Sequence, residues 1–221
     1  MNDRAFLLRA LQGGIESMYR VETDLDVCDF LVGEDDRLMM DVERMPREQL
    51  FIKEAAGEIE LGLFVDERTL ENLELRDPRR RLDEHNLNDF LLAVEGVSHF
   101  VYLVHRARAE RQVSAVELEL QAEVDKYLCA LLVGWQQTGE PPSELRKRLF
   151  QQVQFAGDLS QEERERYQLA NAAADEYAAS LESRFVATRA VDELLSEVRH
   201  FYRKGLAEKL GHISRIQDLV S

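Results

Sequence analysis

Cysteine is nearly missing from this chain: Cys28 and Cys129 are the only two in 221 residues. They stand far apart, and neither lies in a C-x-x-C pair or beside a histidine in a catalytic spacing. That excludes a disulfide framework and a cysteine-based zinc site, and the expectation is two buried free thiols in a reducing cytoplasm. Basic residues are the scarcer charge, 28 against 43 acidic, for a net charge of −15. Such a balance argues against non-specific binding to nucleic acid or to an anionic membrane and favours basic partners. Long hydrophobic runs are missing too. No window approaches the ~18 uninterrupted apolar residues of a membrane span. The apolar stretch Phe6-Leu7-Leu8 is cut by Arg9 and Gln12, too short for the apolar region of a signal peptide, so a cytoplasmic location is expected. Phosphate-loop, nucleophile-elbow and Rossmann glycine patterns do not occur.

What is present divides near residue 85. Residues 1–85 carry 12 basic and 22 acidic side chains, residues 86–221 carry 16 and 21, and the same point separates strand-like from helix-like periodicity. A first helix is expected over 3–18, weakened at Gly13-Gly14. Alternation at Tyr19, Val21, Thr23, Leu25 and Val27 reads as a strand over 19–32 with a bulge near Val27-Cys28. Segments 37–44, 49–54 and 58–65 complete about four strands, the last two joined as a hairpin across Ala56-Gly57. After a short helix at 66–73, helices are expected from Asn86 or Asn88 to about Glu110, from a Ser114/Glu117 capping box to Gly139, and from Ser143 to about Phe155. Two more follow, from a Ser160/Glu163 capping box to about Phe185, and from Thr188 to near Gly211. Gly139-Glu140-Pro141-Pro142 is the best hinge. The expectation is an α+β protein: a small N-terminal antiparallel sheet of about four strands followed by a bundle of about five helices. Its two parts would be 1–85, helix plus sheet, and 86–221, the bundle, the two possibly packed as one unit.

The densest acidic segment, 21–36, holds Glu22, Asp24, Asp26, Asp29, Glu34, Asp35 and Asp36 without a Lys or Arg. The plain reading is a solvated strand face. A sharper one is a cation site, because Asp24 and Asp26, two apart on a strand, would share a face and could hold Mg²⁺ while a substrate phosphate completes the shell. The text Thr23-Asp24-Leu25-Asp26-Val27, with Gly13-Gly14 upstream, resembles the D-x-D strand of nucleotidyltransferase-fold enzymes. The resemblance implies a third carboxylate between apolar neighbours, for which Asp41 or Glu60 could serve. Gln12 stands where that family has an apolar residue, and no helix is readable after Val32.

Within the helical half, Glu95-Gly96-Val97-Ser98-His99-Phe100 is unusual for a solvated helix. A mid-helix glycine costs ~1 kcal/mol against alanine and permits close approach by a neighbour. Either this is tight packing around one satisfied polar network, or it is a polar binding cluster in which Ser98 and His99 face Glu119, Glu123 or Lys126. The pairs Glu95/His99 and Glu197/His200, with Glu117, Glu119 and Glu123 on a neighbouring helix, sketch a metal-binding bundle. Only the 197–200 spacing matches the Glu-x-x-His pattern of carboxylate-bridged sites. The leading functional expectation is a non-catalytic, acidic, cytoplasmic interaction or scaffold protein, acting as a homodimer or on a protein partner, without nucleic acid, membrane or cofactor. A Mg²⁺-dependent nucleotidyltransferase-like enzyme using Asp24 and Asp26, and a metal-binding bundle, are the alternatives.

Overall fold

The first helix, α1 (Asp3–Tyr19), sets Leu7, Leu8, Ile15, Met18 and Tyr19 inward and runs unbroken through Gly13-Gly14, whose open side faces empty space. Packing of the apolar stripe, not propensity, holds the helix across that pair. This computed structural model describes residues 3–39, 44–55, 58–153 and 155–220. After α1 come a 3₁₀ turn (Val27–Phe30), the short α2 (Glu34–Leu38), and a hairpin of β1 (Glu48–Ala55) and β2 (Glu58–Val65). The hairpin pairs antiparallel with Leu50 opposite Leu63 and Ile52 opposite Leu61. Then follow α3 (Glu67–Leu75), α4 (Leu87–Arg108), α5 (Ala115–Thr138), a π turn (Lys147–Gln151), α6 (Gln161–Leu181) ending in a second π turn (Glu182–Val186), α7 (Val191–Tyr202) and α8 (Leu206–Val220).

The molecule is mostly helical, and α4 is its axis. Phe90, Ala93, Val94, Val97, Phe100, Val101 and Tyr102 are all buried. Helix α4 packs on α1, α3, α5 and the hairpin, while α6 packs on α5 and α8, and α7 on α1. One apolar core therefore runs through residues on both sides of position 85. By length and composition alone α4 could cross a bilayer, but 72% of its most apolar window lies inside the protein.

Of the four expected strands, the hairpin pair forms, and the other two do not appear among the described residues. Residues 21–26 are irregular because Arg20 (φ 52°) and Asp24 (φ 51°) adopt left-handed backbone, which an extended strand cannot contain. Gln12, buried at 5% exposure, replaces the missing strand partner. Its amide donates to Thr23 Oγ1 (2.9 Å) and the Leu25 carbonyl (2.6 Å), and its Oε1 accepts from Val27 N (2.9 Å). Only Leu31 makes a strand-like bridge, parallel to Leu63. In the expected strand 37–44, Arg37 and Leu38 instead end α2. Arg37 is buried with its guanidinium 3.9 Å over the Phe64 ring. Residues 40–43, Asp41 among them, lie outside the described residues.

The helical expectations need smaller corrections. The segment expected from Ser143 to Phe155 is helical only around the π turn 147–151. The last expected helix is two, divided after Tyr202. The second begins where Glu208 accepts from Gly205 N (3.1 Å) and the buried Glu117 accepts from Leu206 N (3.0 Å). Ala190, not Thr188, caps α7. At Ser160 both halves of the capping box form. At Ser114 only the serine half does, because the Glu117 carboxylate turns inward to Tyr102, Arg106 and the start of α8.

Candidate functional site

Two polar clusters flank α4. Ser98 and His99 are successive residues, about 100° apart around the helix, and so face different ones. The Ser98 hydroxyl donates to Asp125 Oδ2 (2.5 Å), away from Glu119 and Glu123. That carboxylate also takes the Tyr19 hydroxyl and the Gln121 amide (2.8 Å). Gln121 Oε1 in turn accepts from Lys209 Nζ (2.6 Å), which also donates to the Tyr102 hydroxyl (2.9 Å), and Tyr102 donates to Glu117 (2.6 Å). Asp125, Gln121 and Lys209 are fully buried. Burial pushes the Asp125 carboxyl up to about 6 and pulls the Lys209 amine down to about 7. Every member has a partner, so this cluster locks α1, α4, α5 and α8 together.

The other cluster is open to solvent. A groove of about 590 Å³ lies between β1, α4, α5, the segment after the first π turn and α6. Its apolar lining includes Leu50, Ile52, Leu92, Leu118, Phe155 and Tyr167. Its polar lining includes Arg44, Arg47, Glu48, Gln49, Glu95, His99, Glu119, Glu123, Glu163 and Arg166. Thus His99, Glu119 and Glu123 line one groove, and Ser98 does not join them. Gly96 makes the approach possible. A Cβ there would lie 3.0 Å from Glu48 Cγ and 3.0 Å from Leu63 Cδ1, so the hairpin rests on the bare helix backbone.

Four of the five cations in the groove and at its rim follow one pattern: each is held between two carboxylates. His99 sits between Glu48 (3.5 Å) and Glu119 (3.6 Å). Lys126 sits between Glu95 (3.1 Å) and Glu123 (2.8 Å). At the rim Arg44 bridges Asp158 (3.1 Å) and Glu163 (3.0 Å), and Arg47 bridges Asp66 (3.3 Å) and Asp89 (2.7 Å). Arg166 adds a longer contact to Glu119, 3.7 Å. Burial alone would lower the His99 and Lys126 values, but the flanking carboxylates outweigh it and hold both groups above their ordinary range, as cations. Burial raises Glu48 and Glu123, whereas for Glu95 the charges of Lys126 and His99 overcome burial and lower it. Carboxylates therefore remain in excess of the cations that hold them. His99 Nε2 and Gln49 Oε1 are buried without a hydrogen bond.

The chain matches no family model, no curated protein and no solved structure.

The Asp24 and Asp26 pair does not share a strand face. Asp24 pairs with Arg108 at the end of α4. Asp26 caps the 3₁₀ turn through Cys28 N (2.9 Å) and pairs with Arg9 (2.6 Å). Asp41 falls outside the described residues, and Glu60 pairs across the hairpin with Lys53 (3.0 Å). The Glu-x-x-His pair is separated likewise: Glu197 takes His212 (2.6 Å), and His200 is exposed. Among the described residues no group of three or more His, Cys, Asp or Glu is placed to hold a metal ion. Sequence reasoning missed Glu48 and Arg166, which reach the groove from β1 and α6, and Lys209, which a register of amphipathic positions assigns to no site. Only Gly96, read as permitting close approach by a neighbour, gave a signal, and it did not name Glu48.

Proposed function

We propose that this chain is a non-catalytic interaction protein that docks a protein partner in the groove between β1, α4, α5 and α6. The observation that carries the reading is the paired-carboxylate pattern. The groove and its rim together set eight carboxylates against five cations beside apolar side chains, and such a surface suits recognition of a basic partner. The overall charge of −15 acts in the same direction, steering basic partners toward the molecule. Half-exposed Ile52 at the mouth of the groove supplies an apolar contact that water does not favour. A cytoplasmic setting, without nucleic acid or membrane as ligand, belongs to the same proposal.

Photo-crosslinking in cells tests it. A benzophenone side chain is placed at Ile52 or Val153 in the groove, and as a control at Leu75, which is 84% exposed on α3. The expected result is a discrete crosslinked protein from the groove positions and none from Leu75. A crosslink to a second copy of the chain would identify the partner as itself. Equal labelling at all three positions, or none at any, overturns the reading.

A further inference from the structure

Resting on that reading, we propose that the occupant is an extended basic segment, which adds as a third strand along the outer edge of β1 and seats Lys or Arg side chains on the groove carboxylates. Three observations meet here. The first is an unpaired edge. Among the described residues the sheet has two strands, and β1 pairs with β2 alone. The outer side of β2 is already used, since Val32 N donates to the Leu63 carbonyl (2.9 Å). The outer side of β1 borders the groove through Gln49, Leu50 and Ile52. An edge strand offers a row of backbone donors and acceptors that an extended peptide can complete.

The second is charge. Side chains of an added strand alternate between the groove floor and solvent. Those facing the floor come over carboxylates that already outnumber their cations: Glu48 and Glu119 around His99, Glu95 and Glu123 around Lys126. A further cation fits there and a further anion does not. The stem of a Lys or Arg would lie along Leu50 and Leu118. The third is an unfilled polar atom. Gln49 lines the groove from β1, and its Oε1 is buried without a hydrogen bond, an acceptor for an ammonium or guanidinium group of the incoming segment.

Fluorescence anisotropy with the full-length protein tests this, using a fluorescein-labelled peptide of alternating arginine and valine. The peptide is expected to bind saturably, more weakly as salt rises, and at least about tenfold more tightly than its citrulline counterpart, which has the same shape without the charge. N-methylating one alternate set of backbone amides is expected to abolish binding, and methylating the other set to leave it unchanged. Two rim variants, which spare the buried floor, report the charge dependence if checked for native circular dichroism. Arg44→Gln frees two carboxylates and is expected to tighten binding, and Asp158→Asn to loosen it. Equal binding of the arginine and citrulline peptides overturns the charge seat. Indifference to both methylation patterns overturns strand addition. If Ile52 crosslinks a partner while the arginine peptide does not bind, this occupant is wrong and the interaction reading stands. If neither occurs, both fall.

Discussion

Lys209 is the most improbable residue in the molecule on electrostatic grounds. It is fully buried, and its ammonium group meets the neutral oxygens of Tyr102 and Gln121 together with the Tyr102 ring at 4.3 Å. Burial pulls its titration down to about 7, outweighing the attraction of Glu117 and Asp125. In the unfolded chain a lysine titrates near ~10.4. Above pH 7 the unfolded chain therefore binds the proton that the folded one has released, and stability gains with pH. Between about pH 7 and pH 9, below the ordinary tyrosine range, this gain reaches on the order of 1 kcal/mol per pH unit. Replacing the amine by a thioether of similar length removes it. Urea titrations across that window are expected to show stability rising more steeply with pH in the parent than in Lys209→Met. Parallel pH profiles for the two proteins would mean that Lys209 keeps its proton when folded. At the same scale, Ser160 satisfies two backbone groups at the start of α6 in a reciprocal box with Glu163. Ser160→Ala is expected to cost about 1 kcal/mol, measurable as a fall in Tm of about 2–4 °C for a chain of this size.

Among the elements, those with a local cause were legible in the sequence. Ser114 and Ser160 announce α5 and α6, Gly139 ends α5 in left-handed backbone (φ 77°), and alternation around Ala56-Gly57 announces the hairpin. Elements decided by a distant side chain were not. Alternation at Val21, Thr23 and Leu25 is real, yet Gln12 completes the hydrogen bonds of that segment from α1, and an amide fifteen residues from Val27 leaves no mark on local periodicity. The division between α7 and α8 likewise depends on Glu117, far away in the chain. The groove was half legible. His99, Glu119 and Glu123 lie on helices whose spacing can be read, but Glu48 enters from a strand and reaches His99 only because α4 carries a glycine at position 96. That glycine yields a prediction of sign. Alanine would add about 1 kcal/mol of helix propensity. It would also press a methyl group against Glu48 and Leu63, both buried and both fixed by the sheet, and overpacking of that kind costs about 1–3 kcal/mol. Crowding is expected to prevail. Gly96→Ala should lower Tm and increase hydrogen exchange in β1 and β2 more than in α5. Unchanged exchange in the hairpin would show that the sheet does not depend on this contact.

For the whole molecule the governing quantity is the excess of 15 negative charges, and the question is whether the ion pairs or the excess decide its response to salt. Many of the pairs are exposed. Arg4 is shared by Glu67, Glu71 and Glu74, and Lys53 and Glu60 are each about two-thirds exposed or more. Pairs of that kind contribute about 0–1 kcal/mol each, and many contribute nothing measurable. The buried pairs around His99 and Lys126 are screened far less by added ions. What salt acts on most is therefore the mutual repulsion of unpaired surface carboxylates, which disfavours the compact state. Raising sodium chloride from about 10 mM to about 150 mM shortens the screening length from about 30 Å to about 8 Å, less than the span of the molecule. Thermal unfolding is accordingly expected to shift upward over that range, while binding of a basic peptide in the groove weakens over the same range. The opposite signs matter. A Tm that falls with salt would mean that the ion pairs, not the excess charge, dominate the folded state. Peptide binding that strengthens with salt would mean that the groove recognises its occupant by apolar contact, with the carboxylates as bystanders.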